Sequence, residues 1–162
     1  MIERLCIIGV GLIGGSLARA LREAGACQEV VGAGRSADNL QTAVDLGVID
    51  RFETDLARAV AGADMVVVCV PLGAMEAVFA HIKGHLEEHA VLTDAGSAKG
   101  SVIEAAQRAF GQVPACFVPG HPIAGTEQSG VEASFSSLYV DRRVILTPLP
   151  GTAVNATDRV RE

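Results

Sequence analysis

The chain has 162 residues, of which 49% are hydrophobic and 20% charged, with a net charge of −6. That length fits one domain with a substantial core. The negative charge, the lack of tryptophan and the single tyrosine argue against a nucleic-acid or anionic-membrane partner. A negatively charged cofactor would have to be held by local backbone donors and a few placed cations.

Leu5-Cys6-Ile7-Ile8 is an apolar run without alternation, which predicts a strand buried on both faces. It leads into Gly9-Val10-Gly11-Leu12-Ile13-Gly14-Gly15-Ser16, and an apolar helical pattern follows from about Leu12 to Ala24. In such a strand–turn–helix unit, Gly9 suits the tight turn. Gly11 lets a diphosphate approach the backbone, and Gly14 lets helix and strand pack closely. The N–H groups of Leu12 and Ile13 and the helix dipole would face the phosphates. A dinucleotide is the implied ligand. Arg4, the apolar run and Ala18-Arg19-Ala20 imitate a secretory leader, but Glu3 offsets Arg4 and three glycines interrupt the apolar stretch. A membrane span would need roughly 20 apolar residues.

Glu29 to Gly34 reads as a second strand, after a helix stop at Gly25. Its end is where such a unit meets the adenosine ribose. An acidic residue there favours NAD. Here the position holds Gly34, followed by Arg35 and Ser36. A guanidinium and a hydroxyl can bind a 2′-phosphate, and no carboxylate repels it, so NADP is preferred over NAD. The alternative makes Arg35 an exposed loop residue and gives the ribose to Asp38.

Ser36 is a candidate cap for a helix over Asn39 to Leu46, stopped by Gly47. A short segment Val48 to Phe52 and a brief helix Leu56 to Val60 follow. Met65 to Val70 is a buried strand ended by Pro71. Val70 and Pro71 lie where a strand end would border the cofactor. Met75, Val78, Phe79, Ile82 and Leu86 fall on one helical face. His81, His85 and His89 would share a neighbouring face if that helix continued, and they read as solvated rather than metal-binding. No metal is expected. Cys6, Cys27, Cys69 and Cys116 are scattered, three of them in apolar runs, as in a reduced cytoplasmic protein.

Ala90 to Asp94 predicts a strand, and Ser101 to Phe110 a helix. Between them, Ser97 and Lys99 would sit at the carboxyl rim of the sheet, where α/β sites form. Ser97 could equally be a helix cap, and Lys99 a solvated first-turn residue. Cys116 to Pro119 reads as a strand that delivers His121 in a rigid turn between Gly120 and Pro122. An imidazole there could take a proton from a hydroxyl. Arg142 to Pro148 predicts another strand, and a helix starts near Thr152. The alternation gives an α/β fold, doubly wound and Rossmann-type, with a mainly parallel sheet and helices on both faces. Residues 1–162 read as one dinucleotide-binding domain.

Three stretches, Gly9 to Ser16, Asp94 to Lys99 and Gly120-His121-Pro122-Ile123-Ala124-Gly125-Thr126-Glu127, resemble the prephenate/arogenate (cyclohexadienyl) dehydrogenases of tyrosine biosynthesis. Val144 to Pro148 is also similar to that family. The resemblance implies an oxidoreductase that performs oxidative decarboxylation. A hydride passes from the ring carbon bearing the 4-hydroxyl to NAD(P), carbon dioxide leaves from the opposite position, and the ring becomes aromatic. It implies that His121 accepts a hydrogen bond or proton from that hydroxyl, that Ser97 orients the histidine or the hydroxyl and also contacts the cofactor, and that Thr126 and Glu127 line the substrate pocket. It also implies a helical C-terminal domain that forms a homodimer. This sequence is expected to be a truncated cofactor-binding part without that domain, with an apolar surface left exposed and the activity of this chain alone doubtful. The alternatives are another NADP-linked β-hydroxyacid or imine oxidoreductase, and a non-catalytic dinucleotide-binding module.

Overall fold

The computed structural model describes residues 1–162. Six parallel strands form one sheet in the order β3-β2-β1-β4-β5-β6. They are β1 (Ile2–Ile8), β2 (Cys27–Ala33), β3 (Arg51–Glu53), β4 (Met65–Val68), β5 (Val91–Asp94) and β6 (Phe117–Val118). The sheet is buried on both sides, which is why β1 shows no polar alternation. Cys6 and Ile8 point into one core with Val66, Val68, Phe79 and Phe117. Leu5 and Ile7 point into the other with Val30, Leu40, Val67 and Val118. Phe79 anchors the first core, with its ring 5.7 Å from Phe110 and 5.4 Å from Phe117.

Helix α1 (Leu12–Glu23) and α2 (Ala37–Asp45) follow β1 and β2. Ser36 caps α2, its hydroxyl accepting from Asn39 N at 3.3 Å. Helix α3 (Leu56–Val60) spans the residues expected, with Asp55 as its cap. Helix α4 (Met75–Ile82) buries Met75, Val78, Phe79 and Ile82, as the spacing predicts. It ends at Ile82, because Lys83 turns extended and Gly84 takes φ +79°. His85 and His89 therefore lie beyond the helix, and the three histidines share no face. His81 Nδ1 meets Ala77 O, and His89 meets Asp64.

Helix α5 (Lys99–Phe110) begins two residues earlier than its pattern predicts. Its cap position is Ala98, so Ser97 is not the cap. The expected strand Arg142 to Pro148 shrinks to β8 (Val144–Leu146) and does not join the main sheet. It pairs antiparallel with β7 (Gly120–Pro122), which places His121 in a short strand opposite Ile145 rather than in a turn. Helix α6 (Val154–Arg161) ends the fold. Ile123, Val140, Val144 and Ile145 are all exposed around this hairpin. Beside it an apolar groove of about 610 Å³ runs along β4 and β5 between α1 and α6, lined by Leu17, Leu21, Val67, Tyr139, Leu146 and Val160. No helix is long and apolar enough to cross a membrane.

One charge cluster stitches the edge of the sheet. Glu29 on β2 accepts from Arg4 Nε of β1 at 2.5 Å and from Arg51 Nε of β3 at 2.9 Å. Arg4 holds the Glu29 carboxyl below its ordinary 4.5; partial burial opposes this, and Arg51 adds to it. A lowered carboxylate pKa contributes stability that is complete above 4.5 and is lost as pH falls through the folded value. Glu29→Gln is expected to lower Tm at pH 7 and to flatten its decline below pH 4.5. Thermal melts across that range check this. An acid limb as steep as in the parent would contradict it.

Candidate dinucleotide and hydroxyl site

The carboxyl ends of adjacent strands carry the candidate residues in spatial order. Gly34, Arg35 and Ser36 follow β2, and the glycine loop follows β1. Val70 and Pro71 follow β4, Ser97 follows β5 and His121 follows β6. Four strand spacings separate the two ends, roughly 19 Å, a span suited to an extended dinucleotide.

The glycine loop has the geometry that a diphosphate needs. Gly9 has φ +96°, and a Cβ there would stand 2.5 Å from Cys69 O, with Val70 Cγ1 at 3.1 Å. Gly14 approaches Gly9 so closely that a Cβ would lie 2.4 Å from its carbonyl oxygen. Gly11 differs from both, since a Cβ there would meet nothing within 4 Å. Its openness is toward solvent, where a ligand can reach the backbone. Gly11 is also the cap residue of α1, and no side chain accepts from the first turn. The N–H groups of Leu12 and Ile13 are thus left for an anion. These residues fit a dinucleotide phosphate.

At the ribose end, packing does not demand glycine at position 34. A Cβ there would meet only Leu40, at 3.8 Å. Arg35 and Ser36 are exposed, and Arg35 has no ion-pair partner. Asp38 lies exposed in the first turn of α2.

The other end of the rim is held by a buried ion pair. Lys99 Nζ donates to Asp94 Oδ2 and, at 2.6 Å, to Gly120 O. Lys99 is therefore not a solvated residue; its side chain is 14% exposed. Burial lowers its pKa, and Asp94 opposes that shift. Ser97 is exposed and His121 half-buried. Thr126 accepts from Gln128 N at 3.1 Å, and Glu127 is exposed; both lie on the loop after β7. No hydrogen bond ties either to His121.

A strap over Val131–Tyr139 also supports helix α1, a contact outside the sequence expectations. Tyr139 OH donates to Ile13 O at 2.8 Å. Phe135 N donates to Ser16 Oγ at 3.1 Å, and Arg19 Nε to Ser134 Oγ at 2.9 Å. A Cβ on Gly15 would stand 3.0 Å from Ser134 Cβ, so the fourth glycine serves this packing. Burial raises the Tyr139 hydroxyl pKa, which keeps it a donor. The available signals were the extra glycine and a buried serine within an apolar helix face. Burial likewise pushes the Cys6 and Cys69 thiols up to about 12, and all four cysteines are free.

An open parallel sheet with an uncapped glycine-rich turn and a histidine at the same rim defines a dinucleotide-binding α/β domain. Comparison with known proteins narrows this. The family model of the prephenate dehydrogenase nucleotide-binding domain matches residues 17–162, and the chain belongs to that family. It is 38% identical over 156 residues to the cyclohexadienyl dehydrogenase of Zymomonas mobilis, covering 95% of this chain and 52% of the relative. Among solved structures it superposes on prephenate dehydrogenase from A. aeolicus in complex with hydroxyphenyl propionate and NAD+. The TM-score is 0.90 at 34% identity, over 99% of this chain and 56% of that one. Synechocystis arogenate dehydrogenase gives a TM-score of 0.87 at 28% identity, over 98% and 55%. The chain spans about half the length of the curated relatives it matches. The glycine loop precedes residue 17, where the family match begins, and rests on its own geometry.

Proposed function

We propose that this chain is the cofactor-binding part of an NAD(P)-dependent dehydrogenase acting on prephenate or arogenate. The observation that carries the reading is the arrangement of one sheet rim, with an uncapped glycine loop after β1 and His121 after β6. The bound nicotinamide would supply the hydride acceptor. Gly9, Gly11 and Gly14 shape the phosphate seat, and the N–H groups of Leu12 and Ile13 donate to it. Val70 and Pro71 border it from the end of β4.

His121 accepts the proton of the ring hydroxyl. As the hydride leaves the carbon bearing that hydroxyl, the oxygen gains carbonyl character and its proton becomes acidic. A nearby imidazole that takes it lowers the barrier. The ring–carboxylate bond then breaks, its electron pair enters the ring, and the phenol oxygen regains a proton. Ser97, exposed at the adjacent strand end, orients the hydroxyl or the imidazole. Thr126 and Glu127, on the loop after β7, line the pocket. The exposed apolar hairpin and the groove beside α6 suit the docking of a further domain and a homodimer.

NADP is preferred over NAD. Gly34 leaves the ribose position without a carboxylate, and the unpaired Arg35 guanidinium is free for a 2′-phosphate. Calorimetric titration of the chain should show NADP+ binding more tightly than NAD+. Arg35→Ala should cost about tenfold for NADP+ and little for NAD+, in line with one charge-assisted contact of about 1.4 kcal/mol. An unchanged ratio would remove Arg35 from the site and return the ribose to Asp38.

A further inference from the structure

We propose that Asp94 and Lys99 form a buried positioning clasp that sets the His121 backbone against the turn carrying Ser97. The proposal rests on the reading of His121 and Ser97 above. Ordinary strand pairing between β5 and β6 ends at Thr93 and Val118. Beyond that point, one ion pair takes over. Gly120, the residue before His121, has both of its backbone polar groups held by it. Its N–H donates to Asp94 Oδ1 at 3.1 Å, and its carbonyl accepts from Lys99 Nζ at 2.6 Å. Gly96, the residue before Ser97, donates to the other oxygen of the same carboxylate at 2.7 Å. The turn carrying Ser97 and the strand carrying His121 are thus fastened to one side chain.

Two features argue that this arrangement is built for position. Gly120 admits no side chain, because a Cβ would stand 2.9 Å from Asp94 O and 3.3 Å from Thr93 Oγ1. The approach is therefore backbone to backbone, and a shift of the clasp moves His121 with it. In addition, Lys99 is the first residue of α5. A cation at the positive end of a helix is electrostatically misplaced, and burying an ion pair is often no better for stability than apolar packing. The Asp94 side chain is nonetheless wholly inaccessible, and that of Lys99 is partly buried. Neither residue is assigned contact with substrate or cofactor.

The test is Lys99→Met, with Asp94→Asn/Lys99→Met alongside it, since the double variant leaves no unpaired buried charge. NMR of the chain reads the His121 amide nitrogen, which reports hydrogen bonding to the preceding carbonyl, and the exchange of the Gly120 amide. We expect a displaced His121 signal and Gly120 exchange at least tenfold faster, with dinucleotide affinity within twofold of the parent. In a turnover assay of the longer enzyme that carries the helical C-terminal domain, kcat should fall at least tenfold while KM for the dinucleotide holds. Unchanged His121 and Gly120 signals would overturn the clasp. Unfolding of both variants would also overturn it, by making the pair an element of stability alone. If His121→Asn retains turnover, the catalytic reading falls, and the NMR result still decides the clasp.

Discussion

In the longer enzyme that carries the helical C-terminal domain, replacing His121 by asparagine is expected to lower turnover of prephenate or arogenate by about 10²–10⁴-fold, the range that positioned acid–base groups contribute. Dinucleotide affinity should stay within about twofold, since His121 stands at the far end of the rim from the glycine loop. Asparagine keeps a similar size and can donate a hydrogen bond, but it cannot accept a proton at neutral pH. The β7–β8 pairing is made by backbone groups and should survive the change. Steady-state kinetics beside calorimetry check the two halves of this expectation. Full turnover in the variant would remove His121 from the chemistry. Joint loss of turnover and dinucleotide affinity would point to a collapsed rim instead.

The second large effect separates two glycines that look alike in the sequence. Gly9→Ala should cost several kcal/mol, combining roughly 1–3 for backbone strain at a positive φ with roughly 1–3 for overpacking. The clash at 2.5 Å is with the backbone carbonyl of Cys69, which cannot swing aside. At about 2–4 °C per kcal/mol for a chain of this size, Tm should fall by on the order of 10 °C. Gly11→Ala should behave differently. Its Cβ meets no protein atom within 4 Å, so Tm should hold within about 2 °C, an effect below 1 kcal/mol. That Cβ would occupy the space through which a diphosphate approaches, so dinucleotide affinity should drop at least about tenfold. Melts and titrations of both variants decide the matter. A Gly11→Ala chain that binds like the parent would place the phosphates elsewhere.

Much of the main sheet was legible because its signals are local. Leu5 to Ile8 carry apolar side chains to both faces, and Gly9, Gly11 and Gly14 punctuate the turn within six residues. Ser36 caps α2 by contact with a residue three positions on. The missed features depend on distant partners. Lys99 looks like a first-turn surface residue until Gly120 arrives from the next strand. Arg142 to Pro148 has the composition of a sheet strand, yet β8 finds its partner at Gly120–Pro122 and stays outside the main sheet. The role of Gly15 appears only when Ser134 packs against it. The histidine spacing misleads for a local reason, because the chain leaves the helix at Lys83 and Gly84. The His121 motif pointed to its family, but no residue periodicity could show that an ion pair holds the start of its strand.

The most direct measurement is a titration of the 162-residue chain with NADP+ and NAD+ under identical salt. Saturable binding at one site is expected, tighter for NADP+ and weakened at least about tenfold in Gly11→Ala without loss of fold. If neither nucleotide binds the folded chain, the uncapped N-terminus of α1 is not a phosphate seat and the dinucleotide reading of this rim is wrong.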